Sequence, residues 1–499
     1  MRKNNLKEQD KPKSNCGIFG IYNHDEAALM TFYGLHALQH RGQESSGICT
    51  SEYIPTKSRY RFNIHKNHGL VFEVFHDEII LKSILKGRAA IGHNRYSTTG
   101  ASDKRSNLQP FKVNYKDGYL ALSHNGNFTN TKELRNKLED EGTIFQTTSD
   151  SEILLHLIAR SKQKEMIDKI LESCRQLRGA YSIVLMSDDK LFAIRDPYAV
   201  RPLCMGRLGK SIIFASESCA FDIIDAQYVR EIEPGEIIQI DDEVIRTGKE
   251  KSYIIEKNGQ SKHCIFEYIY FSRPDSTIFG HTVDKIRRKL GKNLSIEKPP
   301  PVAQKGDKKV VVISVPDSSN TATLGYLTES IKTNEFIKLE LGLIRNHYIG
   351  RTFIQPGQGN REIQVKAKFN TVKSVLKDRI VVIVDDSIVR GTTMKQLVRL
   401  IREAQPKEIH LRITSPPIIS PCYYGMDFPS KEELIAFRMY KNLEKIRKEL
   451  NVDSVEYLSL ERLHESVPQD GGNKIGYCDA CFSGKYPIQI EEIEKLEFD

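Results

Sequence analysis

Side chains able to do chemistry fall in separate stretches of this sequence. Cys16 follows a polar opening, MRKNNLKEQDKPKSN, and begins the stretch CGIFGIY. A thiol with an unperturbed pKa near ~8.5 is mostly protonated at neutral pH, so it needs a base before it can attack a carbonyl carbon. If residues 1 to 15 were removed, Cys16 would carry a free α-amino group of pKa about 7.7 to 8.0, able to take the thiol proton without another side chain. Much later, VVIVDDSIVRGTT (381 to 393) sets the adjacent carboxylates Asp385 and Asp386 at the end of an apolar run. Gly391, Thr392 and Thr393 then lead into the helical pattern MKQLVRLIREA. Backbone N–H groups at such a helix start, with the Ser387 and Thr hydroxyls, suit a phosphate, and the paired acids suit hydroxyls and Mg²⁺. Cys478 and Cys481 form a CxxC pair.

These residues need rigid elements to hold them. CGIFGIY has the alternation of a strand, and from Asn15 to about Ile245 short apolar stretches such as YSIVLMS and SIIFAS alternate with turns and a few helices. That pattern predicts layered sheets with helices outside. Ser149, with Glu152 three residues on and ILLHLIA beyond, predicts a capped helix start with Asp150 in its first turn. The span from about Arg246 to His263 is polar and lysine-rich and is taken as the boundary between domains. After it, VVVISV (310 to 315) and IVVIVDD (380 to 386) are continuous apolar runs, as parallel strands buried on both faces require. The second half therefore reads as an open α/β sheet with ligands beyond the carboxyl ends of its strands. EKPPPVAQKGDKK (297 to 309) reads as a surface insertion before one such strand.

A chain of 499 residues exceeds what one core supports, so two domains are expected. With 39% hydrophobic and 28% charged residues it falls in the range of folded soluble proteins. The net charge of +9 is spread over scattered lysines, which fits phosphorylated small molecules and argues against a nucleic-acid surface. No apolar run approaches the roughly 20 residues of a membrane-spanning helix, and the opening lacks the apolar core of a secretory signal. Cytoplasmic residence is expected, where nine cysteines serve catalysis or metal binding rather than disulfides.

CGIFGI together with HALQHRGQESSGI (36 to 48), GHNRYSTTG (92 to 100), SHNGNFTN (123 to 130) and TTSDSE (147 to 152) resembles the class II glutamine amidotransferase domain. The resemblance implies an N-terminal-nucleophile fold with αββα layers and Cys16 as nucleophile. Asn125 and Gly126 would donate to the oxyanion, Arg95 and Asp150 would hold the glutamine α-carboxylate and α-ammonium, and Arg41 would support the nucleophile. VVIVDDSIVRGTT resembles the diphosphate-sugar signature of type I phosphoribosyltransferases. By that resemblance Asp385, Asp386, Ser387, Arg390, Gly391, Thr392 and Thr393 would bind the ribose and 5′-phosphate. PDSSNTATLGY resembles the family's pyrophosphate loop, with Asp317, Ser318 and Ser319 lining the leaving group. One Mg²⁺ would sit on Ser318, Asp385 and Asp386. The stretch from 345 to 370 resembles a loop that closes over the substrate, bringing Arg351 and Lys368.

Cys264, Cys422, Cys478 and Cys481 supply four thiols that suit a Cys₄ zinc site as well as an iron–sulfur cluster. Their contexts resemble the iron–sulfur type of amidophosphoribosyltransferase, which selects one [4Fe–4S] cluster. That family implies propeptide 1–15, glutaminase domain 16–250 and phosphoribosyltransferase domain 251–499. Its substrates would be glutamine and phosphoribosyl pyrophosphate, its inhibitors purine nucleotides, and its assembly a homotetramer. Asn94, Thr99 and Asn320 depart from the usual motifs at positions assigned no chemistry. A hexose-phosphate aminotransferase shares the glutaminase half but lacks VVIVDDSIVRGTT. A non-catalytic paralogue would be expected to lose Cys16, an oxyanion donor or an acid of the pair.

Overall fold

The computed structural model describes residues 16–95, 105–256, 259–302, 310–346, 368–426, 428–469 and 475–490. Residues 1 to 15, Thr99 and Arg351 lie outside them. The first half is built on two antiparallel sheets. One has seven strands in the order Gln227–Glu231, Cys204–Leu208, Ser211–Ala215, Gly17–Tyr22, Ala89–Arg95, Ser45–Ile54, Arg59–His68. The other has six, Lys251–Ile254, Glu236–Ile240, Lys190–Arg195, Gly179–Ser187, Gly118–Phe128, Phe111–Tyr115.

Period-two alternation decides what each strand faces. In Gly17–Tyr22, Ile18 and Tyr22 join a core between the sheets with Cys49, Ile91, Val184 and Met186. Phe19 and Ile21 point the other way, under the helix Ala27–Ala37, with Phe32 and Leu35. Beyond the second sheet, Leu122, Ile183 and Leu185 pack on Ile153, Leu154 and Leu157 of the helix Ser151–Arg160. The αββα layering expected from the sequence is therefore present.

The second half carries five parallel strands in the order Ile337–Leu339, Val310–Ser314, Ile380–Asp385, Glu408–Ile413, Ser454–Tyr457. Its central strands read as unbroken apolar runs because both faces are covered. Val310, Val312, Val382 and Val384 enter one core and Val311, Ile313, Val381 and Ile383 another.

Two sequence expectations need correction. Lys251–Ile254 is the edge strand of the six-stranded sheet, paired with Glu236–Ile240, so the first half runs past the expected boundary at residue 250. Its alternating exposure, typical of an edge strand, made it read as a linker. The supposed insertion at 297 to 309 begins as ordered structure. Glu297 ends the helix Val283–Glu297 and accepts the Ser459 N–H at 3.0 Å, while the Lys298 carbonyl accepts the Tyr326 hydroxyl at 3.0 Å.

That helix lies against Asn320–Ser330 through paired glycines. A Cβ on Gly325 would overlap the Arg288 carbonyl, and one on Gly291 would overlap that of Ala322. Overpacking of this kind typically costs about 1–3 kcal/mol. Gly325→Ala is expected to lower the thermal midpoint by several degrees in a melting experiment; an unchanged midpoint would mean that the helices separate freely.

Candidate functional site

Cys16 sits at the mouth of the central strand Gly17–Tyr22, buried, with its carbonyl accepting Arg41 Nε at 3.3 Å. Arg41 is itself fully buried. Its guanidinium meets Glu217 Oε1 at 2.5 Å and Glu267 at 2.8 and 3.0 Å. Burial alone would push both carboxyls up; His40 and Arg41 instead hold Glu217 well below the usual carboxylate range, and Arg41 lowers Glu267. Ser276 Oγ and the Arg273 N–H also donate to Glu217, and Ser272 Oγ to Glu267. Glu217 and Glu267, and Ser272, Arg273 and Ser276 that donate to them, were not singled out from the sequence. An acid inside the aromatic run IFEYIYF, three residues after Cys264, is the signal that could have found Glu267.

Asn125 and Gly126 lie on Gly118–Phe128, in the facing sheet. Asn125 is fully buried, and neither polar atom of its side chain has a hydrogen-bond partner among the described residues. Leaving a buried amide unpaired costs about 1–3 kcal/mol for each group, so the site is built for something that pairs with it. Gly126 has φ +149°, and a Cβ there would overlap the Ala180 carbonyl. Asp150 is fixed to the same strand, accepting the Phe128 N–H at 2.9 Å. Arg95 ends the strand Ala89–Arg95, buried, with Ser45 as its cross-strand neighbour.

The capping box expected at Ser149 does not form. The helix Ser151–Arg160 has Asp150 as its cap residue, and Glu152 turns back to accept the N–H groups of Gln146 and Thr147 at 2.9 and 2.8 Å. Glu152 thereby braces the loop in front of Asp150. His93 and His124 lie nearby, neutral: burial pushes His93 down to about 3 and lowers His124.

In the second half, Asp385 ends its strand and Asp386 follows; both are buried. Ser319 Oγ donates to Asp385 at 2.8 Å, Ser318 Oγ to Asp386 at 2.5 Å and Ser387 Oγ to Asp386 at 2.7 Å. The loops after Val310–Ser314 and Ile380–Asp385 are thus laced together at the carboxyl end of the sheet, where both were expected. Gly391, at φ +85°, caps the helix Thr392–Arg402 and leaves the amides of Thr392 and Thr393 at its first turn. Asp317 pairs with Arg345 at 2.8 Å, and Arg390 with Glu433 at 2.7 Å. Exposed Lys368 precedes the strand Phe369–Thr371, which pairs with Leu343–Arg345 and so stands beside the Asp317 loop. Arg287, fully buried and pushed down to about 10 by burial, donates to the carbonyls of Tyr268, Tyr270 and Ser272.

Cys264, Cys422, Cys478 and Cys481 line one cavity with Phe266, Tyr424, Met426, Phe428 and Arg201. Parallel pairing of His263–Cys264 with Tyr477–Cys478 brings ends of the second half together. Among the described residues no three His, Cys, Asp or Glu side chains are gathered as around a single ion. The four thiols line the same space, with aromatic and apolar side chains making up most of the rest of its wall. Burial raises Cys264, Cys478 and Cys481, so binding of any metal by these thiols would release their protons.

Two family comparisons and several relatives bear on these sites. A glutamine amidotransferase domain family matches residues 93–222, and a phosphoribosyl transferase domain family matches residues 306–414. The protein named amidophosphoribosyltransferase, chloroplastic, from Vigna aconitifolia is 46% identical over 489 residues, spanning 98% of this chain and 94% of its own. The amidophosphoribosyltransferase of Bacillus subtilis strain 168 is 45% identical over 478 residues, 95% of this chain and 94% of that one. Among solved structures, the B. subtilis glutamine phosphoribosylpyrophosphate amidotransferase complexed with ADP and GMP matches with TM-score 0.84 at 43% identity, covering 96% of this chain and 98% of that chain.

The buried Arg41 cluster carries a pH signature. A carboxyl whose folded pKa is depressed stabilises the fold above its ordinary value of about 4.3 and loses that contribution as pH falls through the folded value. Glu217→Gln is expected to cost about 3–5 kcal/mol at pH 7, by leaving Arg41 short of a partner. Chemical denaturation at stepped pH should show a shallower acid decline for the variant than for the wild type; parallel curves would mean that Glu217 is not charged in the fold.

Proposed function

The chain belongs to the amidophosphoribosyltransferase family, and from that premise we propose how its residues divide the work. Its reaction opens purine synthesis: glutamine, phosphoribosyl pyrophosphate and water give 5-phosphoribosylamine, glutamate and pyrophosphate. The Cys16 thiolate attacks the glutamine carboxamide, with its own α-amine taking the thiol proton once residues 1 to 15 are gone. Negative charge on the tetrahedral oxygen falls to Asn125 Nδ2 and the Gly126 N–H, and ammonia leaves on collapse to the thioester. Water then releases glutamate. The buried Asn125 amide beside Gly126, unpartnered among the described residues, is the observation that carries this reading; such a donor is worth about 10²–10³ in rate. Arg95 and Asp150 hold the glutamine α-carboxylate and α-ammonium, and Arg41 fixes the Cys16 carbonyl.

The ammonia passes to the second half and attacks C1 of phosphoribosyl pyrophosphate. Asp385 and Asp386 hold the ribose hydroxyls, and the first-turn amides of Thr392 and Thr393, with Ser387, Arg390 and Gly391, receive the 5′-phosphate. Asp317, Ser318 and Ser319 line the pyrophosphate, joined by Lys368 and Arg351. Carboxylate oxygens with a serine hydroxyl are the donor set Mg²⁺ takes when substrate phosphates complete its shell, so Ser318, Asp385 and Asp386 would hold it. When bound it neutralises charge on the departing pyrophosphate. Cys264, Cys422, Cys478 and Cys481 would hold a [4Fe–4S] cluster with a structural or regulatory part, since neither half-reaction moves electrons. A homotetramer, inhibition by purine nucleotides and cytoplasmic residence complete the reading. Among the described residues no helix is long and apolar enough to cross a membrane.

Intact mass and N-terminal sequencing of protein purified without oxygen should show a chain starting at Cys16. Cys16→Ala should abolish glutamine-dependent synthesis and keep the ammonia-dependent reaction. A mature chain retaining residues 1 to 15 with full glutamine-dependent activity would sink the α-amine mechanism. Metal analysis of the same sample is expected to give about four irons and four sulfides per chain; one zinc and no sulfide would reassign the four cysteines.

A further inference from the structure

The turn after Cys422 does more than carry a cluster ligand. Gly425, at φ +100°, packs backbone against backbone on Gly126: a Cβ at position 425 would stand 3.0 Å from Gly126 C and Cα and 3.1 Å from its carbonyl oxygen. On its other side Gly126 abuts the Ala180 carbonyl, which leaves no room for a side chain. Gly126, whose N–H is the proposed oxyanion donor, is therefore gripped at its Cα and carbonyl between a strand of its own sheet and a turn from the other half of the chain. The next residue adds a tether, since Asn127 Nδ2 donates to the Tyr423 carbonyl at 3.0 Å.

That turn is anchored in its own right. The Tyr424 carbonyl accepts Arg201 Nε at 2.8 Å and Nη2 at 2.5 Å. Arg201 is fully buried and also pairs with Glu267 at 3.3 Å, the carboxylate that grips Arg41 behind Cys16. The Tyr424 hydroxyl donates to the Ile488 carbonyl at 2.7 Å and accepts the Ile488 N–H at 3.0 Å. A turn fixed by carbonyl and hydroxyl alike cannot drift away from Gly126.

We propose that the Tyr423–Gly425 turn, supplied by the phosphoribosyltransferase half, is the backstop that sets the Gly126 amide for oxyanion binding, which makes Gly425 and Asn127 positioning residues of the glutaminase. This rests on Asn125 and Gly126 being the oxyanion donors. Such donors act only when held within about 0.5 Å of the productive place. A methyl group at position 425 can be admitted only if one of the two backbones gives way by tenths of an ångström.

The test is Gly425→Ala in the full-length enzyme purified without oxygen, assayed with glutamine and with ammonia, with iron content measured on the same sample. The glutamine-dependent kcat should fall about ten- to a hundredfold, approaching the loss of one oxyanion donor. The KM for glutamine, the ammonia-dependent rate and the iron content should be unchanged. An unaltered glutamine-dependent kcat overturns the proposal. A matching loss of both activities with loss of iron also overturns it, because Gly425 would then serve only folding. Should that variant not fold, Asn127→Ala removes the tether without steric demand and should show the same split to a smaller degree; no split would overturn the proposal equally. Asn125→Ala run beside them separates the premises: if it keeps glutamine-dependent activity, the oxyanion assignment fails rather than the backstop.

Discussion

The molecule is organised around one buried cation. Arg41 has no access to water, and its charge is tolerated only because Glu217 from the first half and Glu267 from the second meet it within hydrogen-bonding distance. An uncompensated guanidinium there would cost several kcal/mol, so the halves cannot part without exposing or stranding it. Because Arg41 also donates to the Cys16 carbonyl, the backbone at Cys16 is set by the same contact that joins the halves. Arg201, bridging Glu267 and the Tyr424 carbonyl, extends this constraint to the cysteine-lined cavity.

Physical continuity runs further, into the second site. Ser272 donates to Glu267, and its carbonyl accepts Arg287 at 2.7 Å; Arg287 in turn reaches the Ser318 carbonyl at 3.4 Å. Ser318 bonds Asp386, so the Cys16 backbone and the acidic pair share one chain of polar contacts. That chain of contacts runs through the segment from Cys264 to Ser276, a strand end, one π-helical turn and a loop, whose Glu267 and Ser272 are both hydrogen-bonded to other segments.

Chemistry-bearing residues were legible in the sequence wherever local pattern and local structure coincide. Asp385 and Asp386 stand at the end of a parallel strand because an unbroken Val and Ile run can only be a strand covered on both faces. Gly391 opens the next helix because its positive φ is open to glycine without strain. Cys16 was recognisable because a strand pattern starts at it abruptly. Misreadings arose where local pattern was ambiguous. Lys251–Ile254 looked like a linker because an edge strand in water carries polar side chains. Glu152 looked like a capping partner for Ser149, but the loop at Gln146 and Thr147 offered it more N–H donors.

By itself the sequence determined the two halves and their reaction classes, since the stretches around Cys16, Asn125 and the Asp385–Asp386 pair are each short and strongly patterned. Only the tertiary structure decided what holds them: Glu217 and Glu267 on Arg41, Arg201 on Tyr424, and Gly425 against Gly126. Those partners all lie well over a hundred positions apart, and a lone Glu, Arg or Gly has no periodicity to mark it. Burial alone makes each pairing obligatory, and burial is a property of the packed fold rather than of any window of sequence.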